Sequence, residues 1–240
     1  MIPKTIHYCW FGGNPLPELT LKCIASWRKY LPEYNIIEWN ESNYDVNKNI
    51  FTKEAYINKK YAFVSDFCRL EILFLFGGIY LDTDMELIKT FVNRENQLVL
   101  GFEDINYVAA GIIMCKKNEQ FIYQLMNFYK NKSYNENINN LSEITIPKLI
   151  TTELKKKGLI LNNNYQLIEN NISIYPSEFF YPLNFFTGKT VITKNSVAIH
   201  HYESSWMSNK DIKLNKLKVL LIRIFGLELI DNLKRLIKKQ

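Results

Sequence analysis

Asp82 and Asp84 stand one residue apart at the end of an apolar run in the stretch "FGGIYLDTDMEL", residues 76–87. If the strand carrying Ile79, Tyr80 and Leu81 continues, both acids share a face, because alternate side chains of a strand point the same way. Two carboxylates aimed into one small volume repel unless a cation joins them. A hard divalent ion with oxygen ligands is the natural partner. A bare D-x-D more often caps a turn, so its surroundings have to decide. Upstream, Asp66 and Arg69 lie three apart, on one face of a predicted helix. Burying a charged pair costs on the order of several kcal/mol per ion. Such a pair is either an internal salt bridge or a ligand-binding device. Of three histidines, His7 lies in mid-strand and reads as structural. In "AIHHYESSW" neighbouring residues face opposite sides of a strand, so one of His200 and His201 faces the site; alternation does not say which.

The elements that must position these groups follow from periodicity. "KTIHYCWFGG" is a short strand closed by two glycines, and "LPELTLKCIASWRKYLP" places Leu21, Ile24, Trp27 and Leu31 at helical spacing before Pro32. "YNIIEW" is a second strand, and strand–helix–strand order predicts a parallel α/β sheet. "YAFVSDFCRLEILFLF" is apolar nearly all round and predicts a buried helix that stops at Gly77-Gly78, just before the "IYLD" strand. "NQLVLGFED" and "VAAGIIMCKK" predict two more strands, "TIPKLITTELKKKG" a helix, and "SVAIHHYESSW" a last strand running into a loop. The Asn-rich "NKSYNENINN" reads as a surface loop. The aromatic, Pro-punctuated "ISIYPSEFFYPLNFF" reads as irregular but packed. In α/β folds ligands bind at the carboxyl ends of the strands, where Asp82 and Asp84 fall. The small residues Ala109, Ala110 and Gly111 either leave room there for a ligand or serve plain sheet packing.

Composition narrows the classes. The chain has 240 residues, 47% of them hydrophobic, which suits one sizeable domain with a small appendage. Cys9, Cys23, Cys68 and Cys115 form no C-x-x-C pair, which argues against a zinc site and for reduced thiols and a cytoplasmic location. No run reaches membrane-span length. The net charge of +6 sits mostly in residues 211–240, where eight Lys or Arg face three Asp or Glu. The body is therefore close to neutral, and nucleic acid is not an expected partner. Leu214, Leu217, Leu221 and Ile224 repeat at helical spacing in that segment. It predicts a basic amphipathic helical tail that either packs on the domain or lies on an anionic membrane surface. The expected organisation is a catalytic domain over 1–210 and this tail over 211–240.

Two familiar D-x-D settings fail. A calcium-binding EF-hand loop wants Gly where Leu87 stands, and a haloacid-dehalogenase-like pair is followed by Thr or Val rather than Met85 and Glu86. The stretch "FVSDFCRLEILFLFGGIYLDTDME" resembles glycosyltransferase family 32, which includes Och1-like mannosyltransferases and bacterial capsule enzymes, and the same signature occurs in large glucosylating toxins. The opening "IPKTIHYCWFGG" and the closing "HHYESSW" are similar to the same family. The resemblance implies a GT-A fold: a Rossmann-like, mostly parallel sheet flanked by helices, with metal and nucleotide at the strand ends. It implies Asp84 as the direct metal ligand, Asp82 at the ribose and metal, and Asp66 and Arg69 at hydroxyls of the donor sugar. By the same resemblance Trp10 stacks on the uracil, Gly12 lets the backbone approach the nucleotide, and Ser205 and Trp206 clamp the diphosphate. A third metal ligand from a C-terminal loop is expected, and we take His201. The activity implied is a metal-dependent, configuration-retaining transfer, with Mn2+ or Mg2+, of a hexose from a nucleotide sugar, chiefly UDP-hexose. The acceptor expected is a saccharide carried on a polyprenyl diphosphate lipid, in capsule, O-antigen or exopolysaccharide synthesis, with the enzyme held peripherally at the membrane by its tail. The competing expectations are a nucleotide-sugar-binding protein that turns over weakly and a transferase acting on a protein acceptor. A metal-dependent nuclease or phosphatase would want further clustered acids and a basic body.

Overall fold

The computed structural model describes residues 1–91, 96–136, 144–185 and 187–203. Residues 204–240, and with them Ser205, Trp206 and the predicted basic tail, lie outside the described residues.

The chain opens with β1 (Thr5–Cys9), α1 (Glu18–Tyr30) and β2 (Asn35–Trp39), and β1 pairs with β2 in parallel, as the strand–helix–strand pattern predicts. Helix α1 turns Cys23, Ile24 and Trp27 inward. Trp27 is fully buried, meets the Tyr8 ring edge-on at 5.6 Å, and donates its indole N–H to the Met85 carbonyl at 2.6 Å. An apolar helix face thereby fixes the backbone just past the two aspartates.

Two helices follow, α2 (Ile50–Ile57) and α3 (Tyr61–Phe76). The sequence reading passed over α2. Its start is marked by Asn49, whose side chain accepts from the Phe51 and Thr52 amides. Helix α3 matches the predicted span and buries Val64, Phe67, Cys68, Leu70, Ile72 and Leu73. It is not buried to its end, however. Leu75 and Phe76 emerge, and Phe76 stacks on Trp39 instead, ring centroids 5.6 Å apart. Gly77 and Gly78, both at positive φ, turn the chain directly into β3 (Gly78–Leu81). A Cβ on Gly78 would come within 2.6 Å of the Thr5 carbonyl, so no other residue fits without moving β1.

The remaining elements are β4 (Met85–Leu87), β5 (Leu98–Gly101), β6 (Ile112–Cys115), α4 (Gln120–Lys130), α5 (Ile146–Lys156), β7 (Gln166–Ile168), β8 (Ile172–Tyr175), α6 (Ser177–Phe180) and β9 (Ala198–His200). Among the described residues seven strands form one sheet in the order β2-β1-β3-β6-β5-β8-β7. Within the described residues, β6 and β7 run against the other five, which gives the mostly parallel sheet expected. Strands β4 and β9 pair antiparallel in a separate two-stranded ribbon. The stretch read as irregular is ordered: it holds β8 and the short helix α6. Tyr175, Phe179 and Phe180 pack there around Phe91 at 5.3–6.4 Å.

Strand β3 is central. Ile79 and Leu81 enter the apolar layer that includes Trp27 and Met85, while Tyr80 enters the layer built on α3. A strand with both faces buried reads as a continuous apolar run, which is why the sequence signal ends so sharply at Asp82.

Candidate active site

Strand β3 stops at Leu81, but the ladder lasts one residue more, since the Asp82 amide donates to the Gly111 carbonyl at 2.8 Å. The chain then turns, with the Met85 amide bonded to the Asp82 carbonyl at 3.0 Å, and enters β4. The two acids converge because of this turn, not because an extended strand alternates. Pairing of Met85 with His200 across β4 and β9 brings the C-terminal histidines alongside.

Ligand atoms of Asp82, Asp84 and His200 lie within 4.8 Å of one another. His200 Nε2 is 3.1 Å from Asp84 Oδ1, and the Glu203 amide donates to Asp84 Oδ2 at 2.9 Å. The expectation that His201 faces the carboxylates is corrected here. His201 Nε2 meets Glu86 Oε2 at 2.8 Å, and Glu86 also binds Lys22 at 3.0 Å. Strand alternation was the right principle, but it is β4–β9 pairing, a contact across 115 residues, that selects His200.

Electrostatics explain how the acids coexist. Burial works against a charged Asp84, yet the His200 imidazole and the Glu203 amide outweigh it and hold its pKa below the usual carboxylate range. Burial alone would lower the His200 pKa, but Asp84 raises it beyond that loss. His200 Nδ1 is buried with no hydrogen-bond partner among the described residues, so the ring is engaged through Nε2 alone. Asp84 and His200 therefore each favour the charged form of the other. Two carboxylates and an imidazole are also a fitting donor set for a divalent ion such as Mn2+ or Mg2+.

Behind this cluster, α3 delivers the second pair. Arg69 is buried and bridges Asp66 at 3.0 Å and Asp82 at 3.1 Å, and it donates to the Ala110 carbonyl at 3.0 Å. Its guanidinium lies 4.5 Å over the Tyr80 ring, whose hydroxyl in turn donates to Asp82. Burial pushes the Asp66 carboxyl up to about 6, with Arg69 opposing the rise and Asp82 adding to it. Arg69 thus ties helix to sheet and is also part of the cleft wall beside Asp82.

These groups open onto one cleft of about 1060 Å³. Trp10, Asp66, Arg69, Asp82, Asp84 and His200 all line it. Ala109, Ala110 and Gly111 line it as well, and a Cβ on Gly111 would come within 3.2 Å of Asp82 Oδ2. Trp10 is held by its indole N–H on the Asn14 carbonyl at 2.7 Å. Gly12 is not among the lining residues. It sits at φ +97° against Tyr61, which does line the cleft, and its amide donates to Glu41. Sequence reasoning missed Tyr61, Glu103, Tyr107, Lys148 and Tyr202, all of which line the cleft. Glu103 and Tyr202 are joined by a side-chain hydrogen bond, and burial raises the Glu103 carboxyl. The sequence hint was the position of Glu103 at the C-terminal end of the predicted strand "NQLVLGFED".

The family model for a glycosyltransferase sugar-binding region containing a DXD motif matches residues 17–101. An uncharacterized glycosyltransferase of Acanthamoeba polyphaga mimivirus is 29% identical over 225 residues, 86% of this chain and 84% of that protein. Subversion of eukaryotic traffic protein A of Legionella pneumophila is 24% identical over 248 residues, 76% of this chain, and the chain spans only 38% of that protein's length. The solved structure of the PaToxG glycosyltransferase superposes with a TM-score of 0.54 at 21% identity, covering 65% of this chain and 69% of that one. Over residues 17–101 the chain is similar to glycosyltransferases that carry a DXD motif in their sugar-binding region, and its fold is the GT-A architecture.

Proposed function

We infer that this chain transfers a hexose from a nucleotide sugar to a saccharide acceptor, with retention of configuration, using a divalent ion held by Asp82, Asp84 and His200. One observation carries this reading: the aspartates of the motif, the C-terminal histidine and the Asp66–Arg69 pair, 134 residues apart at their extremes, converge on one cleft with Trp10 at its wall. Mn2+ is the preferred ion, with Mg2+ as substitute. When bound, it would act as a Lewis acid toward the negative charge that develops as the sugar–phosphate bond breaks.

The chain's own residues do the rest. Trp10, fixed at its indole N–H, offers an aromatic face for the base. Asp66 and Arg69 offer an acceptor and donors to sugar hydroxyls at a site already fixed by Asp82 and the Ala110 carbonyl. The Glu203 amide and His200 hold Asp84 in one rotamer, so the site needs little reorganisation. Ser205 and Trp206 follow directly on this arm and are proposed at the diphosphate. No residue is assigned as a base, because in front-face transfer the departing phosphate can take the acceptor proton.

UDP-hexose is the proposed donor, and a polyprenyl-diphosphate-linked saccharide is the proposed acceptor, consistent with a basic amphipathic segment over 211–240. The proposed contact with the bilayer is peripheral, through that segment; among the described residues no helix is long and apolar enough to cross a membrane. Incubation with UDP-glucose, UDP-galactose or GDP-mannose and Mn2+, with release of the nucleoside diphosphate as readout, tests the reading. Release that requires Mn2+ supports it; binding of the sugar nucleotide without any release would make the chain a binding protein.

A further inference from the structure

Glu103 has no place in the reading above, yet it stands in the same cleft. Its position follows from the sheet. Strands β3 and β5 run in the same direction on either side of β6, so Asp82 and Glu103 leave the same edge of the sheet. Two strand spacings separate them, about 10 Å. The floor between is the run into β6, Ala109 to Gly111, which carries no side chain larger than a methyl group. The resulting slot, about 10 Å between backbones before side chains are counted, is of the order of a sugar ring. Its near wall is Asp66, Arg69 and Asp82; its far wall is Glu103.

Glu103 is not a loose surface acid. The Phe102–Val108 bridge and the Glu103 amide on the Tyr107 carbonyl at 2.8 Å close the loop that carries it. The Tyr202 hydroxyl donates to its carboxylate. Tyr202 is itself placed by its ring against His200, centroids 4.1 Å apart, with its backbone at φ +53°. A non-glycine residue held in that region is a constrained one. The carboxylate is therefore pinned from two elements and lines the cleft.

We propose that Glu103 is a specificity-determining residue, whose carboxylate accepts a hydrogen bond from a hydroxyl of a neutral hexose and disfavours a hexuronate in the same slot. The charge count supports the second part: five carboxylates, Glu103 among them, line the cleft against three cations, Arg69, Lys59 and Lys148. A substrate carboxylate entering there meets like charge, which is discrimination by repulsion as well as by fit. The inference rests on the nucleotide-sugar reading above.

The test measures dissociation constants by calorimetry with the full chain and Mn2+, for UDP, UDP-glucose, UDP-galactose and UDP-glucuronate, and for GDP and GDP-mannose. In the wild type a neutral sugar should tighten binding over its nucleoside diphosphate, and UDP-glucuronate should bind about tenfold or more weaker than the best neutral donor. Glu103→Gln should leave UDP or GDP affinity unchanged, which also shows that the variant is folded. It should cost the neutral sugar about tenfold and narrow the gap to glucuronate. Glu103→Asp, which keeps the charge but retracts it, should lose affinity for the neutral sugar while keeping the bias against glucuronate. Unchanged affinities for all sugars in Glu103→Gln would overturn the proposal, as would equal loss for the bare nucleotide. A wild type that binds none of these nucleotides would instead overturn the nucleotide-sugar reading itself, and this inference with it.

Discussion

Replacing Asp66 by Asn should make the protein more stable at alkaline pH while crippling transfer. Asn is close to isosteric with the protonated carboxyl and keeps Oδ1 for the Arg69 guanidinium, which bridges Asp66 at 3.0 Å and Asp82 at 3.1 Å in the wild type. Burial pushes the Asp66 carboxyl from its ordinary 3.8 up to about 6, even with Arg69 beside it. The folded state therefore binds the Asp66 proton more tightly than the unfolded state does. The wild type loses stability as pH rises from about 4 through about 6, and the loss levels off above that. The gap between the two pKa values corresponds to about 3 kcal/mol. Asn does not titrate, so the stability difference between variant and wild type should grow from near zero at pH 4 to about 3 kcal/mol in favour of the variant at pH 8. Chemical denaturation of both proteins at pH 4, 6 and 8 measures it. If Asp66→Asn is equally or more destabilised at pH 8 than at pH 4, the Asp66–Arg69 bridge is a net stabilising element. The argument that this acid is retained for ligand binding then fails.

Arg69→Ala strands two acids at once, so it should cost about 3–5 kcal/mol of stability, and its activity per folded molecule should fall well beyond that; normal turnover by the folded fraction would reduce Arg69 to a structural bridge. His7 accepts the Trp39 indole N–H at Nδ1, 3.1 Å away, and Nε2 lies 3.0 Å from the Gly77 carbonyl, which suits the neutral ring alone. Burial lowers its pKa below 6.5, so its contribution to stability should be intact above pH 6.5 and decline as pH falls below that, until the folded ring is itself protonated. The stability-versus-pH difference between wild type and His7→Gln isolates that slope, and its absence would mean that folding leaves the proton affinity of the ring unchanged. Residues 211–240 should carry the full chain onto anionic vesicles at low salt, each basic residue near the surface contributing roughly 1 kcal/mol. Failure of the intact chain to co-sediment would return that segment to ordinary packing.

The sheet and the motif were legible because their signals are local. The apolar run before Asp82 is continuous because β3 is buried on both faces, and α1 and α3 each show their period within one segment. The order of antiparallel β6 between β3 and β5 was not legible, since no local pattern distinguishes strand direction. That order is what places Glu103 opposite Asp82. The histidine pair shows the same limit. Alternation establishes that His200 and His201 diverge, but only the register Met85↔His200 decides which one meets Asp84. Helix α2 was missed because its cap, Asn49, sits in a polar run that reads as loop. The aromatic stretch around Phe179 was read as irregular because Pro176 and Pro182 mask one strand and one turn of helix.

The central claim is that Asp82, Asp84 and His200, and not His201, hold a divalent ion. Titration of Mn2+ into the full chain, followed by the loss of the free-ion paramagnetic resonance signal, tests it without any substrate. The account predicts one site in the wild type, a dissociation constant raised at least about tenfold in Asp84→Asn and in His200→Ala, and a much smaller change in His201→Ala. Undiminished Mn2+ binding by both Asp84→Asn and His200→Ala, or a loss confined to His201→Ala, would contradict it.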